Sequence, residues 1–303
     1  MIINNNHVIW YEKYRPQCID DLVLPNSYKE KYKEFLKKPY HLLLSSLTPG
    51  TGKTSTVNAI IKEGQFESLF LNASLDNGID TLRSRIQHFA STQSLNDKAK
   101  IVVLDEIDNL SQQAMAGLRG FIEEFSANCA FIGTCNYPSK ILPAIVNRFC
   151  HFDYDAIYRD SQTMIPLIFE RLKFILSNEN IKYQDSDVIE TIKNCYPSFR
   201  DCIGSLQKSV TNGEIQLQIS NFKDFDDIIS AIKSKNYETI LKSVYQVSNA
   251  ESFYSYCFDY VNKNLTNSNV YVILAKYQYQ NAFARDPKLN LVACCTELIN
   301  ANF

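Results

Sequence analysis

Short apolar runs alternate with helical periods through the first half of the chain. Leu42-Leu43-Leu44, Leu69-Phe70-Leu71, Ile101-Val102-Val103-Leu104 and Ala130-Phe131-Ile132 are continuous runs, the pattern of strands covered on both faces. Between them Ile79, Leu82, Ile86 and Phe89 recur at helical spacing, as do Met115, Leu118, Ile122 and Phe125. The alternation predicts a parallel sheet with helices on both faces. After about Asp153 the strand pattern stops. Ile165, Ile168, Leu172 and Ile175 predict one helix. Val188, Ile189 and Ile192 predict a second, and Ser198 is placed to cap a third carrying Ile203, Leu206 and Val210. Thr211-Asn212-Gly213 reads as a break. From Asp224 onward five further helical periods run to the end, and the Asn-rich patch Asn262 to Asn269 reads as polar loop.

Composition narrows the class. The 303 residues admit two or three domains, and 45% of them are hydrophobic, enough for a real core. The 31 basic and 33 acidic residues leave a net charge of -2, which excludes a protein that coats nucleic acid by charge alone. The nine cysteines form no CxxC pair, and His7, His41, His88 and His151 are scattered. Reduced, mostly buried thiols are the expectation, in the cytoplasm (a host's, for a viral protein), and His41 and His151, which flank apolar runs, are expected at strand ends. The opening residues lack a charged-then-apolar leader, and no apolar run is long enough to span a membrane.

Only nine glycines occur, and two of them stand in Thr48-Pro49-Gly50-Thr51-Gly52-Lys53-Thr54-Ser55, directly after the first strand. Such a loop, feeding a helix N-terminus, wraps phosphate oxygens with backbone N–H groups. Lys53 supplies a point charge for the β- and γ-phosphates, and Thr54 a hydroxyl for Mg²⁺. Leu47 stands where the full pattern has glycine. The third strand ends in Asp105-Glu106, followed by Asp108. There Asp105 suits the Mg²⁺ shell, and Glu106 suits polarising an attacking water. These two motifs indicate a P-loop nucleoside triphosphatase. Asn136 follows the fourth strand; spacing alone fits a γ-phosphate-facing residue or a turn residue before Tyr137-Pro138 equally well.

Further motifs carry a family likeness. Trp10-Tyr11-Glu12-Lys13-Tyr14-Arg15-Pro16 with Ile19-Asp20-Asp21-Leu22-Val23 resembles the start of clamp-loader ATPase subunits of the replication factor C type. Asn77-Gly78-Ile79-Asp80-Thr81-Leu82-Arg83 resembles their DNA-facing helix, and Leu118-Arg119 with Glu123 their next helix. Asn147-Arg148-Phe149-Cys150 is similar to their Ser-Arg-Cys motif, and Pro197-Ser198-Phe199-Arg200 to the lid motif of tailed-phage clamp-loader small subunits. The likeness runs in order through about residues 9–210.

The resemblance implies an AAA+ domain with a parallel five-stranded sheet over residues 1–152, a helical lid over 153–215 and a C-terminal helical collar over 216–303. It implies an Mg²⁺-dependent ATPase. Tyr14, Arg15, Pro16 and Val23 would line the adenine pocket, and Pro49 through Ser55 would hold the phosphates. Thr54 and Asp105 would hold the metal, and Asn136 would be sensor 1. Glu106 would be catalytic, and Arg200 would reach the γ-phosphate from the lid. Arg148 would be an arginine finger acting on a neighbour's ATP, which stabilises transition-state charge only in the assembly. The implied partners are other loader subunits in a pentameric assembly, a sliding clamp and primer-template DNA.

For DNA, two helix starts stand out: Asn77, Gly78 and Arg83 on one, and Ser111, Gln112 and Gln113 on the next. Contacts from helix N-termini to phosphates predict little sequence preference; each of these residues equally suits a capped, solvated helix start. Arg85, Gln87 and Phe89 lie further along toward a clamp, with Phe89 on the apolar stripe and expected in the core. The aromatic tail has no basic interleaving, since residues 251–262 hold no Lys or Arg, and this predicts helical core or collar. Two other readings compete: a scaffold subunit that binds nucleotide without hydrolysing it, and another ring-shaped DNA motor, such as a Holliday-junction helicase. The stretch between Asp105 and Cys129 has room for one helix but no added hairpin, which counts against the motor.

Overall fold

Side-chain alternation along the first strand sorts the core into two layers. In the computed structural model, β1 (Leu42–Ser45) turns Leu42 and Leu44 to one face and Leu43 to the other. The structure describes residues 8–75, 79–92, 98–216, 222–247, 250–264, 268–301 and 303. The chain divides into two units, Met1–Gln216 and Leu217–Phe303.

The first unit opens with α1 (Trp10–Lys13) and α2 (Asn26–Lys37), and α3 (Lys53–Gly64) follows β1. Then come β2 (Glu67–Asn72), α4 (Ile79–Ser91), β3 (Lys100–Asp105), α5 (Gln112–Phe125), β4 (Cys129–Cys135), α6 (Pro143–Val146) and β5 (Cys150–Asp153). The five strands are parallel in the order β2-β3-β4-β1-β5. β1 and β4 are buried throughout, as central strands between two helical layers must be. β2 is an edge strand, and Phe70, expected under cover on both faces, is 43% exposed.

One layer packs α3 and the helices after the sheet against Leu42, Leu44, Ile101, Val103 and Ile132. The other packs α4, α5 and α6 against Leu43, Val102, Leu104 and Phe131. Phe89 packs against this second layer, as its place on the apolar stripe requires. The buried Lys100 ammonium fastens the end of α4 to the start of β3, donating to the carbonyls of Phe89 (2.8 Å) and Thr92. Lysine satisfies orphan carbonyls at a helix C-terminus in this way.

After the sheet come α7 (Tyr154–Arg159), α8 (Ser161–Asn178), α9 (Asp185–Cys195) and α10 (Phe199–Ser209). Asp160 caps α8 by accepting from Thr163 N, and Ser198 caps α10 by accepting from Asp201 N. Strands do not stop at Asp153. β6 (Val210–Thr211) and β7 (Glu214–Ile215) form a small hairpin whose turn residues Asn212 and Gly213 both have positive φ. The Asn-Gly pair is the usual chemistry of such a turn, and Val210 belongs to β6 instead of α10.

The second unit holds α11 (Phe222–Lys233), α12 (Tyr237–Gln246), α13 (Ala250–Asn264), α14 (Ser268–Asn281) and α15 (Pro287–Asn300). Phe225, Phe253, Tyr254, Cys257 and Leu298 are among the residues of its own apolar core. Part of the expected Asn-rich loop, Asn262 to Asn264, is helical and ends α13. The nine cysteines are free, and six of them are buried: Cys129, Cys135, Cys202, Cys257, Cys294 and Cys295. Among the described residues no helix is long and apolar enough to cross a membrane.

Candidate active site

In a parallel sheet all carboxyl ends point the same way, so the loops after β1, β3 and β4 meet at one edge. The loop after β1 climbs through Gly50 (φ 81°) and Gly52 (φ 99°) into α3. Both conformations are left-handed, which glycine adopts without strain. Gly50 is constrained a second time: a Cβ there would lie 2.3 Å from Ser198 Oγ. Leu47 is not among the positive-φ residues and is 60% exposed, so this loop needs no glycine at that position.

Lys53 begins α3 with its side chain buried, and its ammonium donates to Ser46 O at 3.3 Å. Burial lowers its pKa from the ordinary lysine value. Thr54 Oγ1 donates to Asp105 Oδ1 at 3.1 Å, and Thr134 Oγ1 to the same oxygen at 2.6 Å. Glu106 takes a left-handed backbone (φ 57°), and its N–H donates to Thr134 Oγ1 at 3.0 Å. Its carboxylate accepts from the Ser74 hydroxyl and from Asn109 Nδ2, the latter at 3.2 Å. Asp108 is buried, and its Oδ2 accepts from the backbone N–H groups of Asn136 (3.2 Å) and Tyr137 (3.0 Å). That carboxylate fixes the turn presenting Asn136.

Two clefts meet at the loop. One is polar, lined by Pro49, Gly50, Gly52, Lys53, Thr54, Ser55, Glu106, Thr134, Asn136 and Arg200 among others. The other is largely aromatic and aliphatic, with Tyr11, Tyr14, Arg15, Pro16, Val23, Thr51 and Phe199 on its walls. Gly50, Gly52, Ser55 and Arg200 border both. An apolar slot opening onto a cationic, amide-lined cradle suits a nucleobase joined to phosphates. Tyr14 serves core and slot together. Its ring is buried, its hydroxyl donates to Glu179 Oε1 at 2.6 Å, and its carbonyl accepts from the buried Arg171 at 2.9 Å. Arg15 pairs with Glu12 at 2.6 Å. Arg200 enters from α10 with its N–H donating to Gly50 O at 3.1 Å.

Not every candidate joins this cleft. Arg148 pairs with Glu123 and donates to Ala144 O, and it borders neither cleft. Arg83 is exposed on α4, with its guanidinium 5.9 Å from the Phe121 ring centre. Ser111 caps α5 through Ala114 N at 3.2 Å, with Gln112 and Gln113 exposed beside it. Asn77 and Gly78 lie outside the described residues. Ser74, Asn109, Asp155 and Tyr158 also touch the site machinery, and no motif in the sequence marks them.

Comparison with known proteins places this geometry. Residues 43–154 match the family model described as ATPase family associated with various cellular activities (AAA). The chain is 29% identical to the sliding-clamp-loader large subunit of Escherichia phage RB69, over 98% of this chain and 97% of that one. It is 31% identical to the sliding-clamp-loader large subunit of Enterobacteria phage T4, over 78% and 77%. It is 34% identical to the replication factor C small subunit of Sulfurisphaera tokodaii, over 70% and 65%. The phage relatives thus carry the name large subunit and the archaeal one small subunit. Among solved structures, the Thermotoga maritima RuvB Holliday junction branch migration motor has a TM-score of 0.54 at 16% identity, covering 73% of this chain and 80% of that one. That likeness is one of fold alone. With a phosphate loop, an acidic strand end and Arg200 of α10 on one cleft, the chain belongs to the AAA-type ATPases of the sliding-clamp-loader and replication factor C subunit family.

Proposed function

We propose that the chain is the ATPase subunit of a sliding-clamp loader, in which bound ATP holds subunits together to open a clamp and grip primer-template DNA. DNA-triggered hydrolysis then releases the closed clamp. The observation that carries this reading is the convergence of Lys53, Thr54, Glu106, Asn136 and Arg200 on one cleft, with Arg148 of the same chain outside it. The AAA family and the loader relatives support the ATPase class and a multi-subunit setting.

In this reading the amides of Gly50 to Thr54 and the Lys53 ammonium bind the phosphates. Glu106 orients the attacking water, Asn136 contacts the γ-phosphate side, and Arg200 closes over it from the lid. The Thr54 and Asp105 oxygens, 3.1 Å apart, form the hard-oxygen pair that suits Mg²⁺, which when bound would neutralise phosphate charge. Arg148 completes the site of a neighbouring copy. The starts of α4 and α5, with Asn77, Gly78, Arg83, Ser111, Gln112 and Gln113, meet the DNA backbone. The exposed Tyr237, Leu241 and Tyr245 on α12, and Val272, Tyr279 and Phe283 on or just after α14, support a role in subunit association for the second unit, Leu217–Phe303, which falls within the collar expected over 216–303. In a pentameric assembly these faces would be covered.

The test is ATP turnover by the complete assembly with clamp and primed DNA. Turnover stimulated by DNA and abolished by Lys53→Ala is expected. Turnover no greater than that of Lys53→Ala overturns the reading.

A further inference from the structure

One short helix grips the phosphate loop and the helix it feeds at three places. α7 runs only from Tyr154 to Arg159. Asp155 accepts from Leu47 N (2.7 Å) and the Ser46 hydroxyl (2.8 Å), at the loop's entry. The Tyr158 hydroxyl donates to Thr51 O at 3.1 Å, at its crest. The buried Tyr154 hydroxyl meets Thr56 Oγ1 at 2.7 Å, in the helix that follows. Positions 154, 155 and 158 share one side of a helix, which is how six residues reach all three points. A second contact arrives from the Arg200 side. The Tyr196 hydroxyl, at the end of α9, donates to the carbonyl of Tyr158 itself, with the two rings 5.8 Å apart. Two residues later Ser198 caps the helix that carries Arg200.

We propose that Tyr158 is a positioning residue, coupling the seating of the Tyr196–Arg200 turn to the shape of the phosphate loop. With Tyr196 docked on the Tyr158 carbonyl, the Tyr158 hydroxyl holds the Thr51 carbonyl back, so the amides of Gly50 to Lys53 face the cleft. Burial raises the Tyr158 phenol far above its ordinary pKa, so it remains a donor at any working pH. The ligand whose affinity this sets rests on the nucleotide reading above; the coupling itself does not.

The experiment compares wild type, Tyr158→Phe, Tyr196→Phe and the double variant as full chains. Hydrogen exchange is read without nucleotide, and affinity with a fluorescent ATP analogue. Each single variant is expected to speed exchange of the Gly50 to Lys53 amides while the amides of β3 and β4 keep their wild-type rates. Each should weaken the analogue about five-fold, the worth of one net hydrogen bond. The double variant should be no worse than the worse single, and maximal turnover of the assembly should change less than about twofold, a loss in binding and not in chemistry. Unchanged loop exchange in Tyr158→Phe overturns the proposal, as do equal acceleration across the sheet and multiplying effects in the double variant. A wild-type chain that shows the exchange pattern yet fails to bind the analogue overturns the nucleotide reading and leaves the coupling standing.

Discussion

Arg148 is ion-paired with Glu123 of its own chain, and neither residue borders the cleft that carries Lys53 or the aromatic cleft beside it. Arg148 also holds the Glu123 carboxyl below the usual carboxylate range, so the pair stands at neutral pH. Both side chains are partly exposed, at 29% and 50%, and such pairs open readily. An arginine so placed can act on another chain's nucleotide without touching its own.

Arg148→Ala therefore separates binding from turnover. The isolated variant should bind nucleotide within about twofold of wild type, because its own cleft is intact. The assembled complex should lose on the order of 10³-fold in turnover, the usual worth of a guanidinium supplied in trans. Arg148→Lys should not restore it, since a point charge does not reproduce the planar fork. Parallel titrations and steady-state assays check this; equal turnover of variant and wild-type assemblies would refute the trans role.

The two loop glycines should respond unequally to alanine. At Gly52 a Cβ meets nothing within 4 Å, so the substitution costs only the left-handed strain, about 1–2 kcal/mol. At Gly50 the same strain is joined by overlap with Ser198 Oγ at 2.3 Å and Arg200 Cβ at 3.1 Å. Gly50→Ala should lower the melting temperature more than Gly52→Ala and displace the turn that carries Arg200. Thermal melts of both variants, followed by nucleotide titration, check the order.

Glu106 and its two donors divide similarly. Glu106→Gln keeps the shape and removes the carboxylate charge; if Glu106 orients the attacking water as proposed, turnover of the assembly should fall about 10²-fold or more while nucleotide affinity stays close to wild type. Ser74→Ala removes the hydroxyl that engages the same carboxylate, leaving Asn109 as its side-chain donor among the described residues. Its effect should appear in maximal turnover and not in affinity, measured in the same assay.

How far the sequence foretold this depends on whether a signal is local. The central strands were legible because burial on both faces leaves unbroken apolar runs, as in Ile101 to Leu104. The phosphate loop was legible because its chemistry sits in consecutive residues. β5 carried no such signal: of Cys150, His151, Phe152 and Asp153 only Phe152 is buried, as suits an edge strand. The small hairpin was hidden because two-residue strands have no period to detect. Tyr158 and Asp155 find their loop partners 107 and 109 residues away, a relation that only the folded chain creates. Asp108 was visible as an acidic residue after β3, but its grip on the Asn136 turn was not.

Lys53 gives a prediction in which binding and stability move in opposite directions. Burial lowers its pKa, so the folded chain pays to keep the ammonium charged at neutral pH, while the unfolded chain does not. Lys53→Met keeps the aliphatic stem and removes the charge. Without nucleotide this variant should melt higher than wild type at pH 7, and it should lose the stabilisation that ATP confers on wild type. As pH rises through the lowered folded pKa toward the ordinary lysine value of 10.5, folded Lys53 sheds its proton while the unfolded chain still holds one. Stability of the wild type then rises relative to the variant, so the gap between them narrows with pH. Melting curves of both proteins from pH 7 to 10, with and without nucleotide, check this. A wild type that melts above Lys53→Met at pH 7 without nucleotide would show that the buried ammonium is a net stabiliser.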